Sequence, residues 1–512
     1  MAMTAEAILE ASNKAFSEKL DPTPQLKRSQ LQLGRKLVIV SNREPYSFKA
    51  TKKGLKLQMT AGGLVSALDP IVRENHGRWI CWEQPRAARK RRDPHRQDEL
   101  DAERQALLPY EVHGVPLTER EMAHYYDGYA NQQLWPLCHY FLNRCEFNPK
   151  DWHYYQRVNE KFASAVLTHA ASDELVWVQD YHLLLVPGMI REQDPTRNIA
   201  FFSHIPFPNV ELFRVLPNRI ELLRGMLGSD LIGFHIPSYV NHFLNCAIEL
   251  LPNEVRINDI EKTIHYQGRT IQVGAFPISV DVDQILADTL KPTVQNQATR
   301  LRESYSDNIE FIGMGVDRLD YTKGIPERLQ AIEIFFEKYP EYRRKLMFIQ
   351  IAAPTRTQVP EYQELRDSIE QQVGHINGRF SEGSWSPIQY INRSLPHTEM
   401  IPYFLISDFA LITPLRDGMN LVAKEYCVAK TDNSGALILS ELTGAASQLD
   451  QAYTVNPYNP EEVADQIFDV LQASSEEKQA RMAYTRRSIQ EHDIYQWVQQ
   501  YLTAFYHVVN QP

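Results

Sequence analysis

The sequence predicts an α/β protein built from two doubly wound domains that face each other across a cleft. Three observations carry this. From Glu174 onward, short apolar segments typical of buried parallel strands alternate with helical patterns. The cycle restarts after residue 300, so it describes two units instead of one. Polar clusters, one of them a glycine turn at Asp417-Gly418, fall at the ends of these strands, where open α/β sheets take their ligands.

Residues 1–34 are polar and mostly helix-forming around a break at Asp21-Pro22-Thr23-Pro24, and read as a tail without identifiable chemistry. The first core strand spans 36–41 and runs into Ser41-Asn42-Arg43-Glu44-Pro45-Tyr46. Thr60-Ala61-Gly62-Gly63-Leu64 then opens a helix whose bare amides suit an anion. Residues 85–104, with Arg86, Arg89, Lys90, Arg91, Arg92 and Arg96, read as a solvated loop: acidic residues follow and no Phe, Tyr or Trp interleaves.

Strands of the first unit are expected at 175–178, 199–202, 231–234 and 271–276, and those of the second at 309–314, 346–352, 388–391, 409–412 and 436–439. Helices fall between, as at 326–338 and 461–471. Val280-Asp281-Val282-Asp283 reads as a helix N-terminus with an Asp near its cap; an aspartate-type phosphatase motif would continue with glycine, and Gln284-Ile285 stands there. The segment 476–509 is amphipathic and aromatic-rich, and is expected to cross back onto the first domain. The expected limits are a tail 1–34, a first domain 35–281, a second 282–485 and a returning helix 486–512.

A chain of 512 residues has ample length for two cores. Hydrophobic content of 43% and charged content of 23% are those of an ordinary soluble globular protein. The net charge of −10 argues against a nucleic-acid partner and requires phosphorylated ligands to meet locally gathered Arg and Lys. Five cysteines, an odd number without metal-type spacing, read as reduced thiols of a cytoplasmic protein. There is no signal peptide and no run of about 18 apolar residues, so a membrane partner is not expected.

The chemistry gathers in four clusters. The stretch 409–426 runs from strand through the Asp417-Gly418 turn into a helix expected to begin near Met419-Asn420, an anion site by virtue of its unpaired amides and helix dipole. Asp417 and Glu425 frame it, spaced so that Glu425 reaches a ribose and Asp417 a group attached to the phosphates. Arg318-Leu319-Asp320-Tyr321-Thr322-Lys323-Gly324 adds two cations for a diphosphate. Gln179-Asp180-Tyr181-His182 and His204 end two strands of the first unit. Each alone passes for a turn residue, a core histidine or a surface cation; four at equivalent places in two domains point to a nucleotide-sugar transferase. A P-loop and a dinucleotide fingerprint are both missing from the sequence.

With these motifs in hand, the chain from about 36 to 509 closely resembles the trehalose-6-phosphate synthases, retaining glycosyltransferases of the GT-B fold. The resemblance rests on S-N-R at 41–43, G-G-L at 62–64, L-W-P at 134–136, D-Y-H-L-L at 180–184, H-I-P-F-P at 204–208, R-L-D-Y-x-K-G at 318–324 and P-L-R-D-G-M-N-L-V-A-K-E at 414–425. It implies a nucleotide-glucose donor, most simply UDP-glucose, in the C-terminal domain, held by Gly63, Arg318, Lys323, Asp417, Gly418, Met419, Asn420, Leu421 and Glu425. His204 and Asp417 would contact the donor sugar. It implies a glucose 6-phosphate acceptor in the N-terminal domain, held by Arg43, Tyr126, Trp135 and Arg356, with Asp180 beside the attacking hydroxyl. Asp180, His204, Arg318, Lys323 and Asp417 would be the catalytic set, with no cofactor and no essential metal. Without the resemblance, Tyr126 and Trp135 read as core aromatics.

Two features differ from the common pattern. S-N-R-E-P-Y replaces the usual S-N-R-L-P, and the related glucosylglycerol-phosphate synthases, which use glycerol 3-phosphate, share R-E-P-Y. Those relatives tend to lose the S-N before Arg43 and the following G-G, both present here, so the trehalose reading leads. The sequence also ends at Pro512 without a phosphatase domain, so a separate phosphatase is the expected downstream partner. A non-catalytic regulatory subunit would have lost cleft residues, which are all filled here. The donor base (UDP, GDP or ADP) and the oligomeric state, a homo-oligomer included, are left open.

Overall fold

A computed structural model describes residues 35–51, 54–60, 63–83, 106–305, 308–356 and 359–510. The tail 1–34, the basic loop at 86–96 and Gly62 lie outside the described residues.

Two sheets organise the chain. The larger has nine strands in the order Glu111–Pro116, Arg78–Glu83, Leu37–Ser41, Leu175–Gln179, Ile199–Phe202, Leu231–Phe234, Arg269–Ala275, Thr263–Tyr266 and Val255–Asn258. The first seven run parallel, and the last two pair antiparallel at one edge. The second sheet has six parallel strands in the order Ile388–Ile391, Leu346–Ala353, Phe311–Arg318, Phe409–Ile412, Ala436–Ser440 and Tyr453–Val455. Central strands such as L-V-I-V-S and F-A-L-I are buried along their length, as expected for strands covered on both faces by helices.

In each sheet the chain winds outward from one central strand and then returns to build the other half. The reversal lies between Leu37–Ser41 and Leu175–Gln179 in the first sheet, and between Phe311–Arg318 and Phe409–Ile412 in the second. At such switch points the flanking loops part and leave a crevice at the carboxyl ends of the strands. Ser41-Asn42-Arg43 and Asp180 border the first crevice. Arg318 and the Thr413–Asp417 loop border the second.

Most expected strands match within two residues. The exception with consequences is 309–314, which is observed as Phe311–Arg318, so Arg318 is the last residue of the strand and does not follow it. The stretch 476–509 is two helices, Ser475–Glu491 and Ile494–Val509, because Asp493 caps the second by accepting from the Gln496 N–H at 2.9 Å. The second helix lies on the first sheet: Tyr501 stacks on Trp177 at 4.4 Å and donates to the Phe201 carbonyl at 2.8 Å. Gly233 allows this approach, since a Cβ there would sit 2.5 Å from the Tyr501 ring. Asp281 caps the linker helix Val282–Thr289 through the Gln284 N–H, as its sequence predicts.

Candidate active site

On the first-domain side, the S-N-R triplet is braced residue by residue. The Ser41 hydroxyl receives the Trp79 indole N–H at 2.7 Å, Asn42 receives the Tyr125 hydroxyl at 2.9 Å, and Arg43 donates to the Tyr126 hydroxyl at 3.1 Å. Tyr125 and Tyr126 belong to a 13-residue π-helix, Met122–Leu134, which runs directly into Trp135. Wide π turns are rare and frequent at functional sites. This one is held by Asn42 beneath and by the His124–Asp151 contact of 2.6 Å at its start. Burial pushes the Tyr126 phenol up, but Arg43 and Arg356 outweigh it and draw the group below its ordinary value.

Asp180 sits at φ 73°, ψ 167°, a region reserved almost entirely for glycine and costly for a side chain by about 1–3 kcal/mol. Its carboxylate accepts from the His204 N–H at 3.2 Å. Burial raises it to about 6, against the pull of the Tyr181 and His204 amides and of Arg318 and Arg43. The neighbouring strand end carries His204, whose Nε2 meets Gln179 Oε1 at 2.9 Å, leaving Nδ1 for another partner. Burial, with His235 nearby, holds His204 well below the usual imidazole value, so it is neutral at physiological pH.

On the second-domain side, the helix after the glycine turn is Leu421–Ala429, one to two residues later than its sequence suggests. Asn420 adopts φ 78°, ends the turn and caps the helix by accepting from the Ala423 N–H at 3.2 Å. The N–H groups from Gly418 to Val422 meet no acceptor among the described residues, and so form a fixed positive rim. Gly418 is needed for a close approach: a Cβ there would lie 2.4 Å from the His204 carbonyl oxygen. Lys323 pairs with Asp417 at 2.5 Å, and Asn420 donates to the same carboxylate oxygen at 3.1 Å. Burial raises the Asp417 carboxyl, but Lys323 more than offsets it, with His139 and Arg318 adding to the pull, and the group is held below the ordinary range. Arg318 is exposed and makes no ion pair among the described residues. Glu425 faces a partly open surface, and burial raises its carboxyl against the pull of His397.

The two sides meet. Trp135 of the first domain lies under both Arg356, at 4.5 Å, and Arg318, at 5.5 Å. Arg356 also donates to the Tyr181 hydroxyl at 3.4 Å, pairs with Asp320 at 3.4 Å and donates to Tyr362. The Tyr239 hydroxyl donates to the Asp417 carbonyl at 3.4 Å, and Arg416 stacks on Tyr140 at 3.7 Å. Arg43, Arg356, Arg318 and Lys323 thus concentrate positive charge in a protein of net charge −10. Trp135 is buried as a core aromatic would be, but what covers it is guanidinium. Gly63 opens the helix Gly63–Glu74. Among the described residues no three His, Cys, Asp or Glu side chains are placed to share a metal ion, and no helix is long and apolar enough to cross a membrane.

Residues 35–507 match the model of glycosyltransferase family 20. A trehalose-6-phosphate synthase of Mycobacterium sp. (strain KMS) is 41% identical over 474 residues, covering 91% of this chain and 94% of that one. The chain belongs to the trehalose-6-phosphate synthase family. It is a glycosyltransferase of the GT-B fold. An alpha,alpha-trehalose-phosphate synthase [UDP-forming] A of Dictyostelium discoideum is 40% identical over 90% of this chain, which spans 61% of that longer protein. Two solved structures of this family superpose at a TM-score of 0.80 and 31% identity. One is from E. coli bound with UDP-2-fluoro glucose (93% of this chain, 99% of that one). The other is a UDP-forming synthase from Burkholderia xenovorans in complex with glucose-6-phosphate (92% and 99%).

Proposed function

We propose that the protein transfers glucose from UDP-glucose to glucose 6-phosphate with retention, giving α,α-trehalose 6-phosphate. The observation that carries this is a pair of anion sites facing each other across one crevice. Arg43, Tyr126 and Arg356 stand on the acceptor side. Arg318, Lys323 and the amides of Gly418–Leu421 stand on the donor side. Asp180 and His204 lie between them. The names and ligands of the relatives support both substrates.

In this reading Arg318, Lys323 and the helix N-terminus neutralise the departing diphosphate, and no resident metal is required for that charge. Lys323 exchanges part of its contact with Asp417 for phosphate oxygen, which frees the Asp417 carboxylate for a donor hydroxyl. His204 Nδ1 takes another hydroxyl. Glu425 holds the ribose, and Gly63 lies against the phosphates from the first domain. Arg43, Tyr126 and Arg356 hold the acceptor phosphate, and Trp135 its ring. The bond from the anomeric carbon to the diphosphate breaks as a bond to the acceptor's anomeric hydroxyl forms on the same face. The hydroxyl proton passes to the leaving phosphate oxygen, and the Asp180 carboxylate orients the attack. Catalysis then rests on holding two anions together in line for reaction.

In this reading the R-E-P-Y segment serves a glucose 6-phosphate acceptor. The Tyr46 hydroxyl is bound by Asp69 and Arg73 of the adjoining helix, and Arg43 is the side chain of the segment that meets Tyr126. UDP release by the purified protein, with UDP-glucose and either glucose 6-phosphate or glycerol 3-phosphate, tests the assignment. Turnover with glucose 6-phosphate supports it. Turnover only with glycerol 3-phosphate overturns the acceptor, and none with either, repeated with GDP- and ADP-glucose, favours a regulatory subunit.

A further inference from the structure

One fully buried cation lies directly beneath the donor-side residues. Arg328, on the first turn of the helix Ile325–Lys338, is 1% exposed. Its guanidinium has five N–H donors, and the structure gives it four acceptors. Nη1 meets Asp317 Oδ2 at 2.6 Å and Gln350 Oε1 at 3.1 Å, Nε meets Thr413 Oγ1 at 3.0 Å, and Nη2 meets the Lys323 carbonyl oxygen at 3.3 Å. These partners lie in two neighbouring strands, Phe311–Arg318 and Leu346–Ala353, in the turn Tyr321–Lys323 and in the loop after the strand Phe409–Ile412. Asp317 immediately precedes Arg318, and Lys323 accepts the bond through its own backbone. Thr413 opens the loop that carries Asp417.

The surrounding geometry is arranged around this group. Gly315, in the same strand, has no Cβ where one would lie 2.7 Å from Arg328 Nη1. The two loops that Arg328 bridges are joined again above it, by the Leu415 N–H to the Thr322 carbonyl at 2.8 Å. Gly324, at φ 64°, packs against Thr413, where a Cβ would sit 2.4 Å from its carbonyl oxygen. A buried ion pair is weak support for stability, since apolar residues of the same volume often serve as well or better. Its distinctive property here is directional: a rigid fork of five donors serves four acceptors at once, which an ammonium with three donors cannot do.

We infer that Arg328 is a positioning residue that sets Arg318, Lys323 and the Asp417 loop in register for the diphosphate. The inference rests on the donor-site reading given above. Arg328 touches neither substrate and acts through the three segments that do.

Three variants test it: Arg328→Lys, which keeps the charge beside Asp317 but loses the fork; Thr413→Val, which removes one arm; and Gly315→Ala, which displaces the guanidinium without removing a polar group. Each is measured for thermal midpoint, UDP Kd, kcat and the KM of donor and acceptor separately. The expected result for Arg328→Lys is UDP affinity and donor kcat/KM each reduced ~10-fold or more, roughly one lost charged hydrogen bond, with acceptor KM within about twofold of wild type. Thr413→Val and Gly315→Ala follow the same split with smaller losses. A folded Arg328→Lys with UDP Kd and kcat within twofold of wild type overturns the inference, as does a loss shared equally by both substrates. If Arg328→Lys does not fold, unchanged UDP affinity in both other variants overturns it. Lys323→Ala in the same series separates the two claims: if it binds UDP as wild type does, the donor-site reading fails, and if it alone loses UDP, only the role of Arg328 falls.

Discussion

Asp180 should weaken the fold it belongs to. Its carboxyl is raised from 3.8 to about 6, mainly by burial. At about 1.36 kcal/mol per unit, keeping it ionised at neutral pH costs about 3 kcal/mol. Below pH 4 the group is protonated in the folded and unfolded chains alike and the cost vanishes. Between pH 4 and 6 the folded protein takes up a proton that the unfolded chain does not, so the cost grows as pH rises through this window and is complete above 6. Asp180→Asn removes the charge and keeps an oxygen for the His204 N–H, at the loss of about 1 kcal/mol of hydrogen bonding elsewhere. The variant is therefore expected to be more stable than wild type by about 1–3 kcal/mol at pH 7.5, a rise of a few degrees in thermal midpoint. That advantage should shrink as pH falls and give way, near pH 4, to the hydrogen-bonding deficit of up to about 1 kcal/mol. Transfer activity should fall ~100-fold or more, as when the group that orients the attacking hydroxyl is lost. Thermal scans from pH 4 to 8 with matched rate assays check both halves. A less stable variant at pH 7.5, or an advantage that does not change with pH, would refute the reasoning.

Arg318→Ala and Lys323→Ala are each expected to lower kcat/KM by ~100-fold, the scale of losing one donor to a developing oxyanion, and steady-state rates near wild type in either would exclude the cradle. Lys323→Ala also strands the Asp417 carboxylate, so adding Asp417→Asn should recover thermal stability without recovering activity. Tyr126→Phe is expected to raise the acceptor KM ~5–10-fold and leave the donor KM unchanged, since its hydroxyl meets Arg43 on the acceptor side; initial-rate kinetics with each substrate varied will show the split. Tyr501→Ala should destabilise by about 3–5 kcal/mol with little change in KM, because it removes a buried ring and a hydrogen bond that pack on Trp177 and the Phe201 backbone and on none of the residues assigned to the substrates; a scan of thermal midpoint against wild type decides it.

The two sheets were legible because wholly apolar strands such as L-V-W-V and F-A-L-I occur at intervals that only a βα cycle produces. Asp417 and Lys323 were legible because glycine turns after such strands announce a bare helix end. Tyr126 and Trp135 were not legible from the residues alone. Their orientation depends on a π-helix, and a period wider than 3.6 leaves no apolar stripe to read. The strain at Asp180 has no sequence signal either, since the residue is held at positive φ by its neighbours and not by its own preference. Arg328 falls in the helical stretch expected at 326–338, and nothing in its own spacing singles it out. The clue was present in Gly315: a second glycine inside a buried strand marks a place where something must approach closely.

The central claim is one reaction between two anionic substrates, and the product tests it most directly. Purified protein would be given UDP-glucose labelled with carbon-13 in the sugar, together with unlabelled glucose 6-phosphate, and the product followed by NMR. The account predicts a non-reducing disaccharide phosphate in which the labelled glucose keeps its α configuration and is joined to the anomeric carbon of the acceptor. A β-linked product, transfer to another hydroxyl, or release of free labelled glucose with glucose 6-phosphate untouched would contradict it.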